Sequence, residues 1–206
     1  MTKKPAQPII VYSSPLSGHA HRVRLLLSLL DLPHNVVDVD MRSGAHKMPE
    51  FLARNPLGQV PVIEDDGVTV YDSNAILVYL AMRYDDGTWL PREPVTAATV
   101  QRWLGLAAGP IAYGPNRARL ASLFRAPVDG EHAKQVAAGL LANLEKELSD
   151  KAFALGDRPS IADLAAYAYV AVAPEGGIPL DAYPHIRVWL GRVEALPGFV
   201  PMQRSV

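Results

Sequence analysis

The chain of 206 residues contains no cysteine. That excludes disulfides, thiolate metal sites and any mechanism that uses a protein cysteine as nucleophile. It also lacks a long apolar run. No stretch approaches the roughly 18–20 residues of a membrane span. The N-terminal "MTKKPAQPII" carries two lysines with no extended apolar segment behind them, so no secretory signal is expected. Excess charge of either sign is missing too. The formal net charge is −1, which leaves no electrostatic case for nucleic acid or an anionic membrane as partner. A cytoplasmic location is the default expectation. The six histidines are scattered, and the one close pair, His19-x-His21, does not form a metal-ligand pattern. What remains is 49% hydrophobic and 20% charged, the balance of a globular protein with a substantial core.

Two halves differ in pattern. "PIIVYS" (8–13) is a short β-branched run and predicts a buried strand. "HRVRLLLSLLDL" (21–32) spaces Val23, Leu26, Leu27 and Leu30 as one helical face, ended by Asp31 and Pro33. "NVVDVDM" (35–41) predicts a second strand, parallel to the first in a β-α-β unit. A short helix is expected near 48–53. Asp65-Asp66-Gly67 signals a hairpin between two short strands. Asp72 or Ser73 then caps a helix with Ile76, Leu77 and Leu80 on one face. Residues 1–84 therefore read β-α-β-(α)-β-β-α, and "DDGTWLPREP" (85–94) reads as a linker. Residues 95–206 contain no strand pattern. Helices are expected at about 95–108, 131–149, 160–172 and 183–195, with a kink or loop in the Gly/Pro-broken "AAGPIAYGPNRAR" (107–119). Two elements there read as structural: Ser160-x-x-Asp163 as a capping box, and "PEGG" (174–177) as an interhelical turn.

"NPLGQVPVI" (55–63) poses a problem, because Pro61 interrupts an apolar run and cannot donate to a central ladder. A β-α-β-α-β-β-α domain whose third strand opens on proline resembles the thioredoxin fold, where that proline is cis. The residue before it, Val60, then offers its main chain to an extended peptide. With the helical half included, the whole chain resembles a cytosolic glutathione S-transferase. "NPLGQVP" (55–61), "DS" (72–73) before a helix and "SIADLAAYAY" (160–169) carry that resemblance, together with the spacing from Pro61 to Asp72-Ser73. "VAPEGGIPLDAYPHIRVWLGRVEALPGF" further resembles bacterial members.

The resemblance implies a site for glutathione, a tripeptide with two carboxylates, an ammonium and a thiol. The helix start at Asp72-Ser73 has free N–H groups and the positive dipole end, which suit the γ-glutamyl carboxylate. Ser73 takes that role by resemblance, and Asp72 fills the family's acidic position. Val60, before Pro61, clamps the cysteinyl unit through its backbone. Lys47, beside His46, is expected near the glycyl carboxylate, and Gln59 near the tripeptide. A free thiol has a pKa near about 8.5, so thiolate must be favoured. The loop "YSSPLSGHAHRV" supplies Ser13, Ser14 and Ser17. By resemblance Ser17 matches the serine of theta- and zeta-like classes, and His19 falls where other classes carry cysteine or asparagine. Tyr12, at the end of its strand, reads as buried and is set aside as an activator. The second substrate is expected between the halves, with Trp103, Tyr113 and Arg117 as plausible lining. The implied activity is conjugation of glutathione to a small hydrophobic electrophile, a detoxification chemistry, without metal and in a homodimer. Glutathione-dependent peroxide or disulfide reduction and non-catalytic glutathione binding remain as alternatives. The absence of cysteine removes only routes through a protein–glutathione mixed disulfide.

Overall fold

The structure, a computed structural model, describes residues 4–205. It divides into two compact units, Met1–Leu90 with Pro197–Gln203, and Pro91–Leu196 with Arg204–Val206.

The first unit is built on a four-stranded sheet of order β2-β1-β3-β4. Its strands are β1 (Ile9–Ser13), β2 (His34–Asp38), β3 (Val62–Asp65) and β4 (Val68–Tyr71). β1 pairs β2 in parallel, so the chain must cross over between them, and helix α1 (Gly18–Leu29) makes that crossover. β1 and β3 are antiparallel, in register from Ile10–Glu64 to Tyr12–Val62. β3 and β4 form the hairpin, with Asp66 (φ 52°) and Gly67 (φ 79°) at its turn. The positive φ of both turn residues is what a two-residue hairpin with strand-matching twist requires. Helix α2 (Pro49–Leu52) and helix α3 (Ser73–Tyr84) complete the unit. Ile76, Leu77 and Leu80 of α3 are fully buried, as their 3–4 spacing dictates.

α1 begins at Gly18, three residues before the stretch that starts at His21, because Ser17 caps it there. The segment Pro197–Gln203 returns to this unit. Ser28 Oγ donates to the Gly198 carbonyl at 2.7 Å, and His21 Nε2 pairs with the Val200 carbonyl at 2.8 Å.

The second unit is helical: α4 (Pro94–Ala108), α5 (Arg117–Phe124), α6 (Gly130–Glu147), α7 (Ile161–Ala171) and α8 (Pro184–Glu194). The capping box at α7 is formed. Asp163, fully buried, accepts from Ser160 N–H (2.9 Å), Ala154 N–H (2.8 Å) and Trp189 Nε1 (2.9 Å). Gly177, at φ 74°, ends the "PEGG" segment.

Of the kink or loop expected at 107–119, the structure has the kink: α4 ends at Ala108 with Gly109 as its cap, and the chain passes through a π-helical turn at Ala112–Asn116 directly into α5. The wider turn accommodates Pro115 within the helical path. Gly114 serves close packing, since a Cβ there would lie 2.9 Å from the Ala137 backbone nitrogen of α6. Trp103 is a correction. It is fully buried against Trp189, at 6.4 Å between ring centroids, so it belongs to the helical core and lines no surface. Tyr113 is exposed, with the Arg117 guanidinium 4.8 Å above its ring.

Candidate functional site

Two helix N-termini in the first unit carry the candidate side chains. At the start of α1, Ser17 has extended backbone (φ −83°, ψ 113°), and its Oγ accepts the Ala20 N–H at 3.2 Å. A hydroxyl accepting in this way keeps its own proton for another acceptor. At the start of α3, the Asp72 carboxylate accepts the N–H groups of Asn74 and Ala75, both at 2.9 Å. It does so from a left-handed backbone (φ 71°). Ser73 follows as the first helical residue, and the Asp72 carboxylate does not engage its N–H. The side chain of Ser73 is buried at 5% exposure.

The two N-termini meet at the Ser73 hydroxyl. His19 Nδ1, from the first turn of α1, stands 3.3 Å from Ser73 Oγ. Arg22, one turn further on, is fully buried and donates from Nη1 to Ser73 Oγ (3.3 Å) and to Asn74 Oδ1 (3.0 Å). Burial, and then the neighbouring Arg22 charge, lower the His19 pKa to about 3. The imidazole is therefore neutral at physiological pH, and His19 supplies hydrogen bonds there, not charge.

Arg22 was not among the residues singled out from sequence. Its signal was a charge four residues before Leu26, on the buried stripe of an apolar helix. What it touches lies 51 and 52 residues away.

A second group lies along the segment before β3. Lys47 is exposed, and its ammonium donates to the Leu57 carbonyl at 3.0 Å. Gly58 lies under it at φ 58°. A Cβ there would sit 2.7 Å from the His46 carbonyl oxygen and 2.8 Å from Lys47 Nζ. Asn55 fixes the loop by accepting the Leu57 N–H (3.0 Å) and donating to the Gln59 carbonyl (2.8 Å). Gln59 itself is exposed. The Val60–Pro61 bond is cis. Val60 packs at the edge of the Val39, Phe51 and Val62 cluster and lies outside the β1–β3 register, which ends at Tyr12–Val62.

Tyr12 is half-buried, edge-on to Phe51 at 6.1 Å and beneath the Arg54 guanidinium at 4.8 Å. Burial, then the Glu64 carboxylate that accepts its hydroxyl at 3.2 Å, push its pKa up. Tyr12, expected to be buried, is thus only half-buried, and its phenol is held protonated and donates to Glu64. No group of three or more His, Asp or Glu side chains that could hold a metal occurs among the described residues.

Residues 16–83 match the glutathione S-transferase N-terminal domain, and residues 125–197 match the glutathione S-transferase C-terminal domain. Glutathione S-transferase 3 of Zea mays is 32% identical over 93% of this chain and 91% of its own. The chain belongs to the glutathione S-transferase family. A maleylacetoacetate isomerase of Rhizobium meliloti is 34% identical over 87% of this chain and 88% of its own. The crystal structure of a glutathione S-transferase from Pseudomonas fluorescens Pf-5 superposes with a TM-score of 0.88 at 35% identity, covering 95% of this chain and 99% of that one. The glutathione S-transferase fold, a thioredoxin-like domain followed by a helical one, is thus the fold of this protein. Ser17, His19, Arg22, Asp72 and Ser73 all fall inside the N-terminal match, and the Ser160–Asp163 box falls inside the C-terminal one.

Proposed function

We propose that this glutathione S-transferase binds glutathione along α1, α3 and the Gly58–Pro61 segment, and conjugates its thiolate to a small hydrophobic electrophile. The observation that carries the reading is the pair of helix N-termini joined at Ser73. The Ser73 hydroxyl and N–H, with the α3 dipole, receive the γ-glutamyl carboxylate. Asp72 holds the first turn and offers a carboxylate to the ligand's ammonium. Val60, before the cis-Pro61, gives its main chain to the cysteinyl unit. Lys47 and Gln59 take the glycyl end. The Ser17 hydroxyl donates to the sulfur, with α1's N-terminus behind it, which favours thiolate. His19 acts on the same turn through its contact with Ser73.

Turnover assays with an aryl halide, a hydroperoxide and a mixed disulfide separate conjugation from the two reductive readings. Conjugation requires the first to be fastest, and no turnover with any of them would leave glutathione binding or the isomerisation that follows. The identity to maleylacetoacetate isomerases favours a second reading. Thiolate would add to a conjugated alkene, the resulting single bond would rotate, and the thiolate would leave again. A cis-dienoate substrate isomerised without consumption of glutathione tests it.

We also propose a homodimer in the cytoplasm. Val68 and Tyr71 of β4 and Met82 of α3 are exposed apolar side chains of the kind an interface covers. Light scattering should give twice the chain mass of 22.3 kDa at micromolar concentration, and a single chain mass would refute the dimer.

A further inference from the structure

We infer that Arg22 is a positioning residue for the carboxylate subsite: with His19 it orients the Ser73 hydroxyl so that the hydroxyl proton points at the ligand. The inference rests on the carboxylate reading of Ser73 given above. A hydroxyl has one proton and two lone pairs. Arginine only donates. Arg22 Nη1, at 3.3 Å, therefore fills one lone pair of Ser73 Oγ. Its other proton goes to Asn74 Oδ1 at 3.0 Å, which pins the guanidinium in place.

His19 decides the rest. Its Nδ1 is 3.3 Å from Ser73 Oγ. If Nδ1 is bare, it takes the Ser73 proton and the ligand loses its donor. If Nδ1 carries hydrogen, it fills the second lone pair and the Ser73 proton must turn outward. A carboxylate at the α3 N-terminus selects the second state, because a hydrogen bond to an ion is about twice as strong as a neutral one. Burial of Arg22 at 0% exposure holds its guanidinium in place before ligand arrives. A lysine at this position would carry the charge but not the planar fork that serves two acceptors at once.

The test compares two S-methylated ligands, so that no thiolate contributes. One is S-methylglutathione. The other is its 4-aminobutyryl analogue, which lacks only the α-carboxylate of the γ-glutamyl unit. The readout is the ratio of their dissociation constants by calorimetry. In the wild type the analogue should bind about 10–100-fold more weakly. Arg22→Met should cut that ratio by about tenfold, through loss of S-methylglutathione affinity and little change for the analogue. Arg22→Lys should restore it only in part. Ser73→Ala should cut the ratio as Arg22→Met does, and the double variant should go no lower. An unchanged ratio in Arg22→Met, or equal weakening of both ligands, would overturn the inference and leave Arg22 a folding residue. If the Arg22 variants do not fold, Asn74→Ala decides, because it loosens the guanidinium without removing it. A several-fold drop in ratio is then expected, and no drop refutes. A wild-type ratio near one would instead sink the carboxylate reading of Ser73, and absence of any binding would sink the proposed function.

Discussion

Ser17→Ala is the sharpest perturbation of the proposed chemistry. In the structure the Ser17 oxygen accepts the Ala20 N–H, so its proton is free to donate to a sulfur. A hydrogen bond to a charged group is worth roughly 1.5–3 kcal/mol. At about 1.36 kcal/mol per pKa unit, removing it should raise the bound thiol's pKa by about 1–2 units. The assay is a pH titration of thiolate absorbance in the glutathione complex, paired with turnover below the thiol pKa. There the rate should fall about 10–100-fold with the thiolate fraction. The substitution also removes the α1 cap, at about 1 kcal/mol of stability. Ser17→Gly separates the two effects. Glycine in place of an N-cap serine costs only a few tenths of a kcal/mol, yet it lacks the hydroxyl. Both variants should shift the titration alike, while only Ser17→Ala lowers the melting temperature appreciably. Affinity for S-alkylated glutathione should barely change in either. His19→Ala should weaken glutathione binding and leave the thiol titration in place, because His19 is neutral and contacts Ser73. Coincident curves for wild type and both Ser17 variants would refute the hydroxyl as thiolate partner. A shift in His19→Ala alone would move that role to His19.

Three further outcomes follow from the geometry. His21 is fully buried and its pKa is lowered to about 4, chiefly by burial, while its unfolded value is near 6.5. The unfolded chain therefore binds the proton first. Stability is complete above pH 6.5 and falls by about 3 kcal/mol as pH drops from 6.5 to 4. His21→Gln, which keeps a donor for the Val200 carbonyl, should flatten that slope in chemical denaturation measured across this range. Gly58→Ala forces a side chain into left-handed backbone and into the His46 carbonyl. It should cost at least about 1 kcal/mol and weaken glutathione binding by displacing Lys47, both visible in a melt with and without ligand. Ser160→Ala should cost about 0.5–2 kcal/mol, and Asp163→Ala more, since it strands the Ala154, Ser160 and Trp189 donors. Glutathione affinity should survive Ser160→Ala, and a loss of binding at an unchanged melting temperature would contradict its structural role.

Local chemistry made much of this protein legible in its sequence. The Asp72 cap, the Asp66-Gly67 turn and the Ser160–Asp163 box are each complete within a few residues, so residue type and spacing suffice to read them. The apolar faces of α1 and α3 were equally plain, because burial imposes the helical period. Residues 107–119 could be read only as a kink or a loop, for a related reason. Glycine and proline announce a break locally, but Gly114 is set by the approach of α6 and Pro115 is taken up by a wider helical turn. The site divides along the same line. The sequence proposes Ser73 as a helix-start residue, and Ser17 and His19 only by resemblance, each one separately. Only the packing of α1 on α3 brings His19 and Arg22 to the Ser73 hydroxyl across 54 and 51 residues. Only the return of the chain end places the Val200 carbonyl on His21 across 179. Hydrogen bonds at such separations leave no periodicity in the chain. Their partners are chosen by which faces the core brings together, and that is a property of the folded state alone.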